Sequence, residues 1–411
     1  MRIACINTQE RLGGAARAVH RLHRAFRDAG HQSEMVVLGR QTGDPTVHLV
    51  GHDLAGAVAR ELCLKSYGLL KRTLVRPEAG AFSLSAWPLP VAAMRSVIEA
   101  DVVLLGWVSA LLAPSSLRAV LDSKKPVVWR LSDMEPFTGG CHFALSCEAY
   151  RARCGRCPRL RFPGALDASR MQHSAKAWAL ESARLTAVAP SQWIAERARV
   201  SSLFRRFAIR HIPTAVDFEV FRPLPAADAR ELLGLDPAAE WIGFVAAGGL
   251  SDARKGGKDA VEVVRRLRAQ GRDARLLLVG AGGDETVRDL PVVDVGALGD
   301  DLSIALAYAA MDAVLVPSAG DNLPNVAVEA LACGRPVFGY AIGGIAEVVT
   351  DAAAGGLVPA GRVDDLTEAV VRFLAGARAG SPATARATVE RFALTAVRDQ
   401  YLALFEEMSE T

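Results

Sequence analysis

The chain predicts an α/β protein made of two doubly wound, Rossmann-like domains facing a central cleft. Three observations carry that expectation. Strand-like and helix-like segments alternate in two successive runs along the 411 residues. Several apolar runs, such as "ADVVLLGWV" (100–108) and "KPVVWRL" (125–131), do not alternate with polar residues, the mark of parallel strands covered on both faces. Between the runs, "IPTAVDFEVFRP" (212–223) sets a polar stretch between two prolines, which reads as an interdomain joint.

In the first run, "RIACIN" (2–7) is a strand, Gly13-Gly14 a turn, and Ala15 to Ala29 a helix. Strands follow at "SEMVVL" (33–38), at the two apolar runs, at "LTAVAPS" (185–191) and at "FAIRHIP" (207–213), with a helix beginning near Gln192. A cysteine-rich excursion (139–160) interrupts them. The second run has strands at "EWIGFVAA" (240–247), "ARLLLVG" (274–280), "PVVDVGAL" (291–298), "AVLVPS" (313–318) and "RPVFGY" (335–340), with helices over 257–270, 301–311 and 363–378. One amphipathic helix is expected over 384–408. The domains are therefore drawn at 1–215, 216–380 and 381–411, the last a helix packing back across the other two. In such folds ligands bind at the carboxyl ends of the strands, so the site is expected in the cleft.

Composition narrows the function. Apolar residues make up 51% of the chain and charged residues 23%, as in a globular protein rich in core. A net charge of +3 without a basic, aromatic-laced stripe argues against nucleic acid as a partner. An acid at Glu10 precedes any long apolar run, unlike a signal peptide, and "VVLLGWVSALLAP" (102–114) is short of the roughly 20 residues of a spanning helix. The seven cysteines suit a reducing compartment, so a cytoplasmic location is expected.

The chemistry gathers at "PSAGDNLPNVAVEALACGRPV" (317–337). Pro324 suits the first helical position, and the amides after it form an anion site with the helix dipole. Glu329 lies about 7–8 Å down that helix at 1.5 Å per residue, the reach from a diphosphate to a ribose. Asp321, at the mouth, is placed to accept hydroxyls beyond the phosphates. The spacing also fits a capping acid and a surface glutamate. In "GGLSDARKGGKDA" (248–260), Lys255, with Arg254 beside it, opens the first helix of the second domain and can neutralise a departing diphosphate; a solvated charge cluster is the plainer alternative. The stretch lacks the Ser or Thr of a Walker loop, and "VGAGGDE" (279–285) lacks the third glycine of a dinucleotide fingerprint. Gly13 and Gly14 would let the backbone approach a ligand, or form a plain turn.

Together these pieces resemble the retaining glycosyltransferases of family 4, which have the GT-B fold. The resemblance runs over nearly the whole chain, through "RLGGAARAVHRLHRAFRDAGHQSEMVV", "DMEPFTGGCH", "LTAVAPSQWIAERARVSSLF", "IPTAVDFEVFRP", "RKGG" and "DNLPNVAVEALACGRPV". It implies transfer of a sugar, with retention, from a nucleoside diphosphate (UDP or GDP) to an acceptor hydroxyl, with no metal needed for catalysis. The "PFTGGCH" block is similar to a bacterial subgroup that assembles polysaccharides and related glycans, so the acceptor is a glycan, lipid-linked or small molecule. By the same resemblance Lys255 and Arg254 hold the diphosphate, Glu329 the ribose and Asp321 the donor sugar. The backbone of Leu323, Pro324, Asn325 and Val326 would meet the distal phosphate, Asn322 is a further donor-binding candidate, and Gly13-Gly14 would approach the donor. Related proteins carry histidine where Ser132 stands, and often where Gly106 stands; Asp133 is the candidate to supply a polar contact there. Alternatives are an aminocyclitol-type small-molecule transferase, a nucleotide-sugar epimerase or hydrolase, and a non-catalytic nucleotide-sugar-binding subunit.

Two further features stand apart. Cys141, Cys147, Cys154 and Cys157 fall in one excursion, and its Cys-x-x-Cys end is the usual knuckle of a structural zinc site, with His142 a replacement ligand. A long insertion poor in apolar residues needs such a staple; free thiols or a redox pair are the other readings. "ARELCLKSYGLLKRTLVRP" (59–77) is basic and amphipathic, either a solvated helix face or a peripheral contact with the inner membrane.

Overall fold

The computed structural model describes residues 1–51, 53–282, 287–376 and 381–410. It divides into two compact units, Met1–Pro213 with Val397–Thr411, and Thr214–Ala396. Each is a parallel sheet wrapped in helices. Residues 283–286, which overlap the stretch compared with a dinucleotide fingerprint, and residues 377–380, which overlap the end of the expected 363–378 helix, lie outside the described residues.

In the first unit the strands are β1 (Arg2–Gln9), β2 (Gln32–Gly39), β3 (Val47–Leu49), β4 (Val102–Leu105), β5 (Val127–Arg130), β6 (Thr186–Ala189) and β7 (Ala208–His211). Their order is β3-β2-β1-β4-β5-β6-β7. Every pairing is parallel. All four residues of β4 and of β5 are buried, as the unbroken apolar runs require. The chain leaves β1 toward β2 and β3, then returns to β4 on β1's other side. The reversal opens a crevice at the carboxyl ends of β1 and β4.

The second unit repeats the device with β8 (Glu240–Ala246), β9 (Ala274–Gly280), β10 (Val292–Asp294), β11 (Ala313–Val316), β12 (Val337–Tyr340) and β13 (Gly355–Val358), ordered β10-β9-β8-β11-β12-β13. Its switch point lies between β8 and β11. The helix Gly257–Ala269 buries Ala260, Val263, Val264 and Leu267, the i, i+3, i+4, i+7 stripe of an amphipathic helix, against this sheet.

Three expectations need correction. The strand at 291–298 stops at Asp294, whose Oδ1 accepts the Gly296 N–H at 2.8 Å while Gly296 turns at φ +70°. The single helix at 384–408 is instead Pro382–Ala387, a 3₁₀ turn Glu390–Phe392 and Leu394–Ser409. It breaks because Val216 takes the backbone: its N–H donates to Phe392 O and its carbonyl accepts from Leu394 N–H, each at 2.9 Å. Beyond the break, Tyr401 and Phe405 pack edge-on and tilted against Phe26 of the first unit. Finally, the cysteine-rich excursion is not devoid of core. Cys141, Tyr150, Cys154 and Leu160 are buried in the first unit's apolar cluster.

Candidate active site

In the second unit the site is assembled from the loops that follow β8 and β11. After β8 the chain makes two 3₁₀ turns, Gly249–Ser251 and Ala253–Lys255. Gly256 then turns at φ +73°, and a Cβ there would stand 2.0 Å from Pro317 O. Only glycine lets the two loops touch so closely. The contact is sealed by the Ala319 N–H donating to Arg254 O at 2.8 Å.

This seam brings three side chains together. Lys255 Nζ lies 2.5 Å from Asp321 Oδ2, and Arg254 Nη1 lies 3.8 Å from the same oxygen. Arg254 also donates to Gly320 O at 2.9 Å and pairs with Asp252 at 3.2 Å. Burial pushes the Asp321 carboxyl up, but Lys255, Arg254 and the Asn322 N–H outweigh it and hold its pKa below the ordinary value. From the other side, Gly343 turns at φ +68° with its Cα against the Asp321 carbonyl, where a Cβ would lie 1.8 Å from that oxygen. Gly344 N–H donates to Asn322 O at 2.7 Å. The Asp321 turn is thus braced by backbone on two sides.

Pro324 caps the helix Asn325–Ala332, one residue ahead of the position expected for it. Asn322 and Leu323 are buried, and the Leu323 side chain belongs to the core. Glu329 lies on the same helix but is only 4% exposed, and its Oε2 accepts the Tyr308 hydroxyl at 3.1 Å. Tyr308, from the helix Asp301–Ala310, is a partner that sequence reasoning missed, since no local pattern links it to Glu329.

In the first unit, Gly13 caps the helix Gly14–Asp28 at φ +88°, with open space where a side chain would be. Glu10 ties this loop to the one after β2, accepting from Gln41 N–H at 2.6 Å and Thr42 N–H at 2.9 Å. A polar cluster sits past the carboxyl ends of β4 and β5. Asp133 Oδ2 lies 2.6 Å from His142 Nδ1 and accepts Trp107 Nε1–H at 2.9 Å, while Oδ1 accepts the Glu135 N–H at 2.8 Å. His142 Nε2 meets Ser83 Oγ at 2.8 Å, and that hydroxyl meets Tyr67 at 2.9 Å. Burial pushes the Asp133 carboxyl up, and His142 with these donors pulls it below the usual range.

The hydrogen-bond partners of His142 were not legible in the sequence. Offered above as a replacement metal ligand, His142 has both ring nitrogens engaged instead in the relay through Asp133 and Ser83. Ser132 accepts from Arg130 Nη1 at 2.9 Å. No side chain fits at Gly106: a Cβ would lie 2.4 Å from Asn7 Oδ1 and 2.6 Å from Val19 Cγ2. Asn7 uses that space to accept the Trp107 N–H at 2.6 Å.

The four cysteines of the excursion line one cavity of about 20 Å³, and all are free thiols. Among the described residues, no group of three or more His, Cys, Asp or Glu is already arranged to hold a metal ion. The basic stretch forms the helix Leu54–Leu74, which exposes Val58, Leu62, Leu64 and Leu69. Lys65 pairs with Glu61 at 3.2 Å, and Arg76 donates to Leu160 O at 2.9 Å. Among the described residues, no helix is long and apolar enough to cross a membrane.

Fold and comparison agree on a class. Two parallel-sheet Rossmann-like units are the GT-B architecture, and the chain superimposes over 98% of its length on 99% of Anabaena HepE in complex with UDP-glucose, with a TM-score of 0.66 at 16% identity. It likewise matches WaaG, a glycosyltransferase involved in lipopolysaccharide biosynthesis, with a TM-score of 0.63 at 16% identity over 98% of this chain and 99% of that one. Residues 241–376 match the family Glycosyl transferases group 1. In sequence the chain is 35% identical to the D-inositol 3-phosphate glycosyltransferase of Actinosynnema mirum over 179 residues, 39% of this chain and 42% of that protein. It is 30% identical to the 2-deoxystreptamine N-acetyl-D-glucosaminyltransferase of Streptomyces fradiae over 220 residues, 49% of this chain and 50% of that protein. The matched stretch thus spans about half the length of these curated relatives or less.

Proposed function

We propose that the protein is a retaining glycosyltransferase that moves a sugar from a nucleoside diphosphate, UDP or GDP, to an acceptor hydroxyl. One observation carries the reading: Lys255, Arg254 and Asp321 meet at the switch point of the unit that matches the glycosyltransferase family. Lys255 and Arg254 take the charge of the departing diphosphate, and the amino end of the helix Asn325–Ala332 receives its distal phosphate. Glu329, steadied by Tyr308, accepts the ribose hydroxyls. Asp321 exchanges Lys255 for hydroxyls of the donor sugar.

Asp133 acts by position rather than as a nucleophile. It is 7% exposed and already accepts from Trp107, Glu135 and the His142 ring. With the leaving phosphate assisting attack on the same face, retention needs no covalent protein intermediate.

The acceptor is a polysaccharide or glycoconjugate precursor. A second reading, a small cyclic polyol, is favoured by the relatives named for D-inositol 3-phosphate and 2-deoxystreptamine. A lipid-linked acceptor would draw the Leu54–Leu74 helix to an anionic bilayer at the cytoplasmic face.

Thermal unfolding with UDP, GDP, ADP and TDP tests the donor site. A nucleotide at 100 times its Kd adds about 2.7 kcal/mol to the wild type. One nucleotide stabilising the wild type, but not Lys255→Ala or Glu329→Ala, supports the reading. No shift with any of them sinks it. Transfer assays with glycan and cyclitol acceptors then separate the two acceptor classes, and donor turnover without acceptor would mark a hydrolase or epimerase.

A further inference from the structure

We propose that Cys141, Cys147, Cys154 and Cys157 form a closed tetrathiolate site for a zinc ion. These cysteines belong to the first unit, whereas the Lys255–Asp321 cluster belongs to the second. Four of the chain's seven cysteines fall within residues 141–157, and the fold turns all four onto the same cavity. That cavity, about 20 Å³, is near the size of one water-sized sphere. Its remaining walls include Phe82, Ala144 and Tyr150, and no charged or amide side chain lines it. The Ser169 hydroxyl on its wall is already committed to Asp167 Oδ1 at 2.7 Å. The thiols are thus the groups with which the cavity can hold a ligand, and they suit a thiophilic ion.

The backbone between the last two cysteines is sharply bent. Between Cys154 and Cys157, Gly155 turns at φ +136° and Arg156 at φ +49°, so the chain curls left-handed between the two sulfurs. A non-glycine residue in that region is disfavoured and persists only where the surroundings offset the strain. Gly139 leaves room for Cys154, since a Cβ there would lie 2.8 Å from the Cys154 Cβ. The same Gly139 donates its N–H to Cys154 Sγ at 3.2 Å, the kind of bond that steadies a sulfur ligand from outside the coordination sphere.

The thiols are not yet in a ligating arrangement, since no metal-holding cluster is formed among the described residues. Loading is therefore a closing step: the sulfurs move onto the cavity centre, four S–H bonds ionise, and four Zn–S bonds form as four protons leave to solvent. Tetrahedral thiolate sites with no open position are structural, so the ion holds the loop rather than reacting. Its consequence falls on His142, which follows Cys141 directly and reaches Asp133 at 2.6 Å.

The test is the metal content of the full-length protein purified without chelator, with zinc released by a mercurial thiol reagent and read by a zinc dye. About one zinc per chain is expected, released as the loop thiols are blocked, and absent from the Cys154→Ser/Cys157→Ser variant but retained by Cys5→Ser. Because the loop variant can misfold, a second reading uses the wild type alone. After chelation, added zinc should protect four thiols from alkylation. Iron in place of zinc, or no metal with loop thiols that react equally with and without added zinc, overturns the proposal.

Discussion

Lys255 Nζ and Asp321 Oδ2 lie 2.5 Å apart across a seam between two loops that are 66 residues apart in sequence. The cation proposed for the diphosphate and the acid proposed for the sugar are therefore paired with one another. The Asp321 pKa is depressed in the folded protein, so its contribution to stability is present above the unfolded carboxyl value and is lost as pH falls through the folded one. Without Lys255 the opposing effect of burial weighs more and the folded pKa rises. The Tm of Lys255→Met should lie below that of the wild type near pH 7, and the gap should narrow on titrating to about pH 3, because less of the variant's stability depends on an ionised Asp321. A gap that does not change with pH would mean that the two groups do not pair in solution.

The Asp133–His142 contact makes a separate prediction about the first unit. His142→Leu removes one partner of a buried carboxylate and should cost about 2–3 kcal/mol, read as a lower urea midpoint with an unchanged slope. In Asp133→Asn the same His142 change should cost clearly less. Additive losses would show that the two side chains do not interact.

Lys176 and Glu135 form a buried ion pair at 2.5 Å, each side chain 6% exposed, and Lys176 also donates to the carbonyls of Glu135 and Thr138. They pin the "PFTGG" loop to the helix Ala168–Leu180. Lys176→Met should cost about 3–5 kcal/mol, and adding Glu135→Leu should restore much of it. A single variant as stable as the wild type would remove the pair from the account of this loop.

Two glycines with left-handed backbones should respond differently to alanine. Gly271, at φ +81°, has nothing within 4 Å of the place a Cβ would take, so Gly271→Ala should cost only about 1 kcal/mol. Gly256, whose Cβ would meet Pro317 O at 2.0 Å, must open the seam as well. Gly256→Ala should lose more stability and also the nucleotide-dependent thermal shift. Equal responses would show that the seam is not as tight as described.

Apart from β3 and β13, for which no strand was expected, the strands of both sheets, the Gly13-Gly14 turn and the residues of the Lys255–Asp321 cluster were largely legible because each depends on short-range signals. Unbroken apolar runs mark buried parallel strands, and a proline then helix marks a capped end. What was not legible was set by partners distant in sequence. Val216 breaks the last helix by taking its backbone bonds, and Gly296 shortens β10 by turning beside Asp294. Tyr308 reaches Glu329, and Asn7 fills the place beside Gly106. His142 looked like a spare metal ligand beside Cys141, yet its ring turns the other way, to Asp133 and Ser83.

The sequence by itself determined two doubly wound α/β units and the chemistry of the candidate residues, because periodicity and residue chemistry are local properties. Tertiary structure alone decided which of those residues meet. A carboxylate's charge state and a thiol's neighbours depend on packing at ångström range between loops that only the fold brings together.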